Sequence, residues 1–123
     1  MKLSKSEEEV ISILWKKKNA YLKDILDAYA DPKPAPSTVA TLLKRMIDKG
    51  YVSYETHGSS RCYKALVSKK KFFKDHLSEL KRKFFDNSNR QLASFFAKES
   101  SFTKKQLEEL KSIIEQEIKA KDE

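Results

Sequence analysis

The chain has 123 residues, room for one ordinary domain or for a small domain with an appendage, and its 26 Lys and Arg against 18 Asp and Glu leave a formal charge of +8. That balance favours a polyanionic partner, nucleic acid or an anionic membrane surface. The single cysteine, Cys62, excludes an internal disulfide; two histidines, His57 and His76, with no Cys/His cluster argue against structural zinc; and no apolar run nears the ~20 residues of a membrane span. The N-terminus, MKLSKSEEEV, lacks the apolar centre of a signal peptide, so the expected compartment is a reducing cytoplasm, with no membrane insertion.

The first helix is expected to start at Ser4, where Ser4 and Glu7 make an S-x-x-E capping box with Leu3 outside it as a candidate staple. Acids at 7 to 9 suit the positive end of that helix. Val10, Ile13 and Leu14 share one face, with Ile11 and Trp15 at its edges, and the charged KKKN at 16 to 19 ends it. Tyr21, Leu22, Ile25, Leu26 and Tyr29 repeat at helical spacing and predict a second, shorter helix. All three prolines fall in DPKPAP, 31 to 36, which makes a stiff loop and places Pro36 as the first residue of a third helix.

That third helix carries Val39, Leu42, Leu43, Met46 and Ile47, a full buried stripe, and Gly50 is the expected left-handed residue beyond its end. The period then changes. YVSYET and RCYKALV are β-branched and aromatic runs joined by HGSS, which predicts a hairpin with Gly58 in the turn. Cys62 lies in the second strand and reads as half-buried and inert. Three helices followed by a hairpin, within about 67 residues, is the order of a winged helix-turn-helix domain.

From Ser68 onward the pattern is helical. Phe73, Leu77, Leu80 and Phe84 are spaced close to a heptad seam, which Phe72 and Phe85 widen. DNSNRQ breaks it, Ser88 and Gln91 offer a new cap, and Leu92, Phe95 and Phe96 mark a short helix. Thr103 and Gln106 cap a last one with Leu107, Leu110, Ile114 and Ile118. The fold class that follows is mainly α with a small β-hairpin: a winged helix-turn-helix domain over 1–67 and a C-terminal helical dimerisation region over 68–123. Its aromatic positions fit a ligand pocket, a membrane-facing stripe or a dimer seam. A two-fold partner is favoured over packing onto the winged domain, because three apolar-faced helices bury themselves poorly alone. The seam residues would be Phe73, Leu77, Leu80, Phe84, Leu92, Phe95, Phe96, Leu107, Leu110 and Ile114.

Opposite the buried stripe of the third helix lie Ser37, Thr38, Thr41, Lys44, Arg45 and Asp48. Its front turns are short and hydroxyl-rich, so the backbone can approach a base edge, and threonine can offer a methyl to thymine or a hydroxyl to a polar edge. Base contacts are expected from Ser37, Thr38 and Thr41. Phosphate contacts are expected from Lys2, Ser4, Lys44 and Arg45, and from Arg61 beside the hairpin tip. The basic excess concentrates between 64 and 83, with eight Lys and Arg against Asp75 and Glu79. There is no Gly-rich phosphate loop, no G-x-S-x-G and no His near a paired carboxylate, so neither an enzyme nor a bound cofactor or metal is expected.

LSKSEEEVISILWKKK, the second helix, STVATLLKRMIDKGYV, the hairpin and ALVSKKKF resemble the penicillinase repressor family of BlaI/MecI/CopY-type regulators over about residues 3 to 70. The matching positions are Leu3, Ser4, Glu7, Ile13, Leu14 and Trp15, then Thr38, Val39, Thr41, Leu42, Leu43, Arg45, Lys49 and Gly50. The resemblance implies a homodimeric bacterial transcriptional repressor that binds a palindromic operator in double-stranded DNA, with recognition-helix threonines at Thr38 and Thr41. Ala40, between them, departs from the larger or basic residues common in relatives. In the β-lactam-responsive branch, repression is relieved by proteolysis linked to a membrane sensor; the cleaved bond aligns with Ser94-Phe95, where relatives carry Asn before the Phe. The copper-responsive branch needs a C-terminal cysteine cluster, which KAKDE lacks. The alternative to the repressor is a winged-helix protein-interaction module without DNA binding.

Overall fold

The structure, a computed structural model, describes residues 3–122. Helix α1, Lys5–Lys17, begins as its sequence predicts: Ser4 Oγ accepts from the Glu7 amide at 3.2 Å, and the Ser4 amide donates to Glu7 Oε1 at 2.8 Å. Val10, Ile11, Ile13 and Leu14 turn inward. The chain then reverses at Lys18 (φ 67°), whose amide still donates to the Leu14 carbonyl.

The next three residues correct the sequence reading. Asn19–Tyr21 form a strand, β1, so Asn19 does not end the first helix and Tyr21 does not belong to the second. Ala20 is the reason: it is fully buried opposite Tyr63, where a small side chain lets strands pair against the core. Helix α2 is correspondingly short, Leu22–Ala28, and its entry is held by the Tyr21 amide donating to Asp24 Oδ2 at 3.0 Å.

Helix α3, Pro36–Asp48, buries Val39, Leu42, Leu43 and Met46 and starts with proline at its first turn, as expected. Gly50 follows at φ 86°, a conformation only glycine takes without strain. Strands β2, Val52–His57, and β3, Ser60–Ala65, make the predicted hairpin around Gly58 (φ 64°). The sheet order is β1-β3-β2, antiparallel throughout, so the hairpin is one strand wider than the sequence suggested. Its register puts Val52, Tyr54 and Thr56 on one face with Ala65, Tyr63 and Arg61; the base of that face is buried on the helices and the tip is exposed.

Helix α4 spans Lys69–Phe84, α5 Asn89–Glu99 and α6 Lys104–Lys121. The caps at Ser88 and Thr103 form as expected. Two compact units result, Met1–Phe73 and Lys74–Glu123. The first holds the whole hydrophobic core, and that core includes Phe72, only 5% exposed. Phe72 therefore does not widen the helical seam. It lies edge-on to Trp15 at 5.3 Å, while Trp15 Nε1 donates to the Val67 carbonyl at 2.9 Å, so the start of α4 is pinned to α1.

One charged group is buried within that core. Glu7, 2% exposed, receives Lys49 Nζ on Oε1 at 2.7 Å, tying the start of α1 to the end of α3. Among the described residues its Oε2 has no partner. Burial pushes the Glu7 carboxyl up, but the hydrogen bonds from Lys49 and Ser4 and the lysine's charge outweigh it and hold it below the ordinary 4.5. A depressed carboxyl contributes stability that is present above its ordinary value and is lost as pH falls through the folded one. Removing the cation leaves a buried carboxylate uncompensated, so Lys49→Met should cost on the order of 3 kcal/mol at pH 7, measured by urea unfolding. That deficit should shrink below about pH 4, once the carboxylate protonates in both proteins.

Candidate nucleic-acid interface

The outward face of α3 is the one its periodicity predicts. Ser37, Thr38, Ala40, Thr41, Lys44, Arg45 and Asp48 are all exposed. Its N-cap is Ala35, and among the described residues no side chain makes a capping hydrogen bond there, so the first amides of the helix lack a side-chain cap. Thr41 Oγ1 donates to the Ser37 carbonyl one turn back, at 3.0 Å. Its hydroxyl proton is thus already used within the helix.

The turn that aims α3 is anchored by a residue the sequence reading passed over. Lys33 Nζ donates to three carbonyls at the end of α2: Leu26 and Asp27 at 3.2 Å and Tyr29 at 2.6 Å. A cation there satisfies the orphan carbonyls and the negative end of the helix together. The legible signal was a lysine just beyond the last apolar residue of a short helix.

At the wing, the Arg61 guanidinium lies over the Tyr54 ring at 4.3 Å, and Tyr54 packs in turn against Tyr63 at 5.9 Å. Arg61 is exposed but is held by that stack, a cation–π contact worth about 0.5–1 kcal/mol at such a site. On the opposite face of the sheet, the Tyr21 hydroxyl and His57 Nδ1 share a hydrogen bond of 2.9 Å, and His57 Nε2 lies 3.4 Å from Glu55 Oε2. The wing tip is therefore clasped to β1, a contact invisible without the third strand. Cys62 is half-buried between its β1 and β2 neighbours, Tyr21 and Glu55.

Ser4 is exposed at the start of α1; its Oγ accepts the capping bond, which leaves its proton to donate elsewhere. Lys2 lies outside the described residues. The unit that contains Ser4, α3 and the wing holds fifteen Lys and Arg against eight Asp and Glu, a net +7, whereas residues 74–123 hold eleven against ten, a net +1.

The seam residues are placed differently from the core. Phe73 belongs to the first unit, where it is half exposed and packs at 5.9 Å from Trp15. Leu77, Leu80, Phe84, Phe95, Phe96, Leu107 and Ile114 are all exposed; Leu92 and Leu110 are half-buried. Phe85 packs on Phe95 at 5.4 Å and Phe96 on Phe102 at 5.2 Å. Among the described residues beyond Phe73, none is buried. Ser94 and Phe95 sit within α5, on an open groove they share with Phe85, Arg90 and Gln91. Among the described residues, no group of His, Cys, Asp or Glu is arranged to hold a metal ion, and no helix is long and apolar enough to cross a membrane.

Residues 3–116 match the penicillinase repressor family. The methicillin resistance regulatory protein MecI of Staphylococcus aureus strain N315 is 25% identical over 113 residues, which is 91% of this chain and 92% of that protein. Its counterpart in Mammaliicoccus sciuri is 24% identical over the same length, with the same coverage. Among solved structures, one from work on the regulation of DNA binding of Bordetella bronchiseptica BpsR by 6-hydroxynicotinic acid aligns with a TM-score of 0.49 at 13% identity, over 93% of this chain and 74% of that one.

The clasp can be tested by itself. Tyr21→Phe should leave global stability within about 0.5 kcal/mol, because the bond is exposed. It should speed amide exchange at residues 57 to 60 by roughly two- to tenfold, read by hydrogen-exchange NMR, as the wing tip opens more often.

Proposed function

The chain belongs to the penicillinase repressor family, and on that premise we propose that it is a transcriptional repressor that binds a palindromic DNA operator as a homodimer. In this reading α3 enters the major groove, with Ser37, Thr38 and Thr41 toward the bases. Lys44 and Arg45 one turn later, Ser4 at the start of α1 and Arg61 on the wing reach the flanking phosphates. The uncapped, hydroxyl-rich front of α3 supports base approach, and the concentration of net charge in the same unit supports a polyanionic partner.

The observation that carries the dimer is the coreless second unit. The helical residues beyond Phe73 include no buried side chain among those described, and they expose Leu80, Phe84 (73% exposed), Phe95, Ile113, Ile114 and Ile118. Each such side chain gains about 1.5–3 kcal/mol when fully buried, so leaving the set in water is costly, and a two-fold copy supplies the missing surface. Two recognition helices one helical turn apart, or a multiple of it, then demand a palindromic site.

Derepression in this proposal is by cleavage at Ser94–Phe95, linked to a membrane sensor. The bond lies inside a regular helix, so α5 must open locally before a protease can draw the chain into extended form.

The test is binding of the full chain to duplex from its own upstream region across a salt series. Affinity should fall linearly on a log–log plot, and Lys44→Ala should flatten the slope by about one while weakening operator and random duplex alike. No binding at low salt removes the repressor reading. A chain cut after Phe73, which keeps Val67 and Phe72, should stay folded, sediment as a monomer and bind the operator weakly; a dimeric fragment would move the seam out of α4–α6.

A further inference from the structure

The exposed strip of α3 has a chemical character that the threonine-rich sequence conceals. Ser37, Ala40, Thr41 and Lys44 follow one another at spacings of three, one and three, so they line a single edge of the helix. From sequence alone, Thr41 offers a base either its methyl or its hydroxyl, with nothing to choose between them. In the structure that hydroxyl donates to the Ser37 carbonyl at 3.0 Å. Its one proton is committed, and what the side chain still presents is a methyl group and the remaining lone pairs of Oγ1. Ala40 beside it adds a second methyl and no polar atom. The middle of the strip is therefore an apolar ridge, with a hydroxyl ahead of it and a lysine behind.

Resting on the reading that α3 lies in the major groove, we propose that Thr41 and Ala40 select a thymine by apolar contact with its C5-methyl group, and that Thr41 is a specificity residue through its methyl rather than its hydroxyl. Among the four bases only thymine carries a methyl on the major-groove floor. The competing chemistry is acceptance by Oγ1 of a proton from an adenine or cytosine amino group. That use leaves Ala40 idle and wastes the ridge.

The experiment uses the full chain. A random-sequence duplex pool is enriched by binding, each thymine of the best duplex is replaced in turn by deoxyuridine, and the wild type, Thr41→Val and Thr41→Ser are titrated against the set. Valine keeps the methyl and drops the hydroxyl; serine does the reverse. Both leave α3 with near-equal helix propensity, which circular dichroism checks. One thymine per half-site should prove methyl-dependent, its replacement weakening the wild type and Thr41→Val alike by roughly fourfold per half-site. Thr41→Ser, which leaves only the Ala40 methyl, should already be weaker and should respond to that replacement less than the wild type does. The proposal is overturned if Thr41→Val loses the preference that Thr41→Ser retains, or if no thymine methyl matters to the wild type. A pool that yields no enriched sequence overturns the groove reading itself and this inference with it, so the two failures are distinguishable.

Discussion

Glu7 stands at the start of α1 and Lys49 at the end of α3, and the 2.7 Å ion pair between them closes a loop of 42 residues. The same carboxylate accepts from the Ser4 amide, so one buried group both caps a helix and sets where another ends. A carboxylate is costly to bury unless a cation and donors surround it, which makes the arrangement intolerant of slippage. The direction of α3 follows from it. Lys33 fixes the other end by closing α2 just before the proline turn, and the stripe Val39–Leu43–Met46 seats the helix between those two points. The hydroxyl front of α3 is exposed because both ends are held elsewhere.

The two units divide the work by opposite means. The first has a closed core, an ion pair, a three-stranded sheet and nearly all of the net charge, which suits the polyanionic partner proposed for it. The second has well-capped helices and no core of its own among the described residues. Good caps and regular apolar spacing with nothing buried are the features of an element that completes itself against another surface.

Much of this was written locally. The capping boxes at Ser4 and Thr103, the cap at Ser88, the proline opening α3 and the glycines at φ 86° and 64° each depend on residues a few positions apart, and each is where the pattern placed it. The exposed face of α3, hence the candidate interface, was legible for the same reason: a helix repeats every 3.6 residues, so the buried stripe names its opposite. The third strand was not. Asn19–Tyr21 is too short to show a period, and Tyr21 also satisfied the helical spacing of α2. Phe72 was misplaced because two consecutive phenylalanines at the start of a heptad seam do not say which faces which partner. Both rings reach Trp15, more than fifty residues away, but Phe72 is buried there and Phe73 is half exposed.

The sequence by itself determined the order of the helices and the hairpin, the starts of α1, α3, α5 and α6, which face of α3 is free and the basic character that points to a polyanion, since all of these are set by neighbours within a turn or by composition. Only the tertiary structure decided that Tyr21 leaves its helix to clasp His57, that Tyr54 supports Arg61, that Glu7 is a buried anchor, and that the Thr41 hydroxyl is spent on its own helix. Two of those, Tyr21 with His57 and Glu7 with Lys49, depend on atoms brought together from distant positions, and the Tyr54–Arg61 stack depends on the register of the hairpin. The last depends on a rotamer, and a residue's letter does not say which of its groups faces outward.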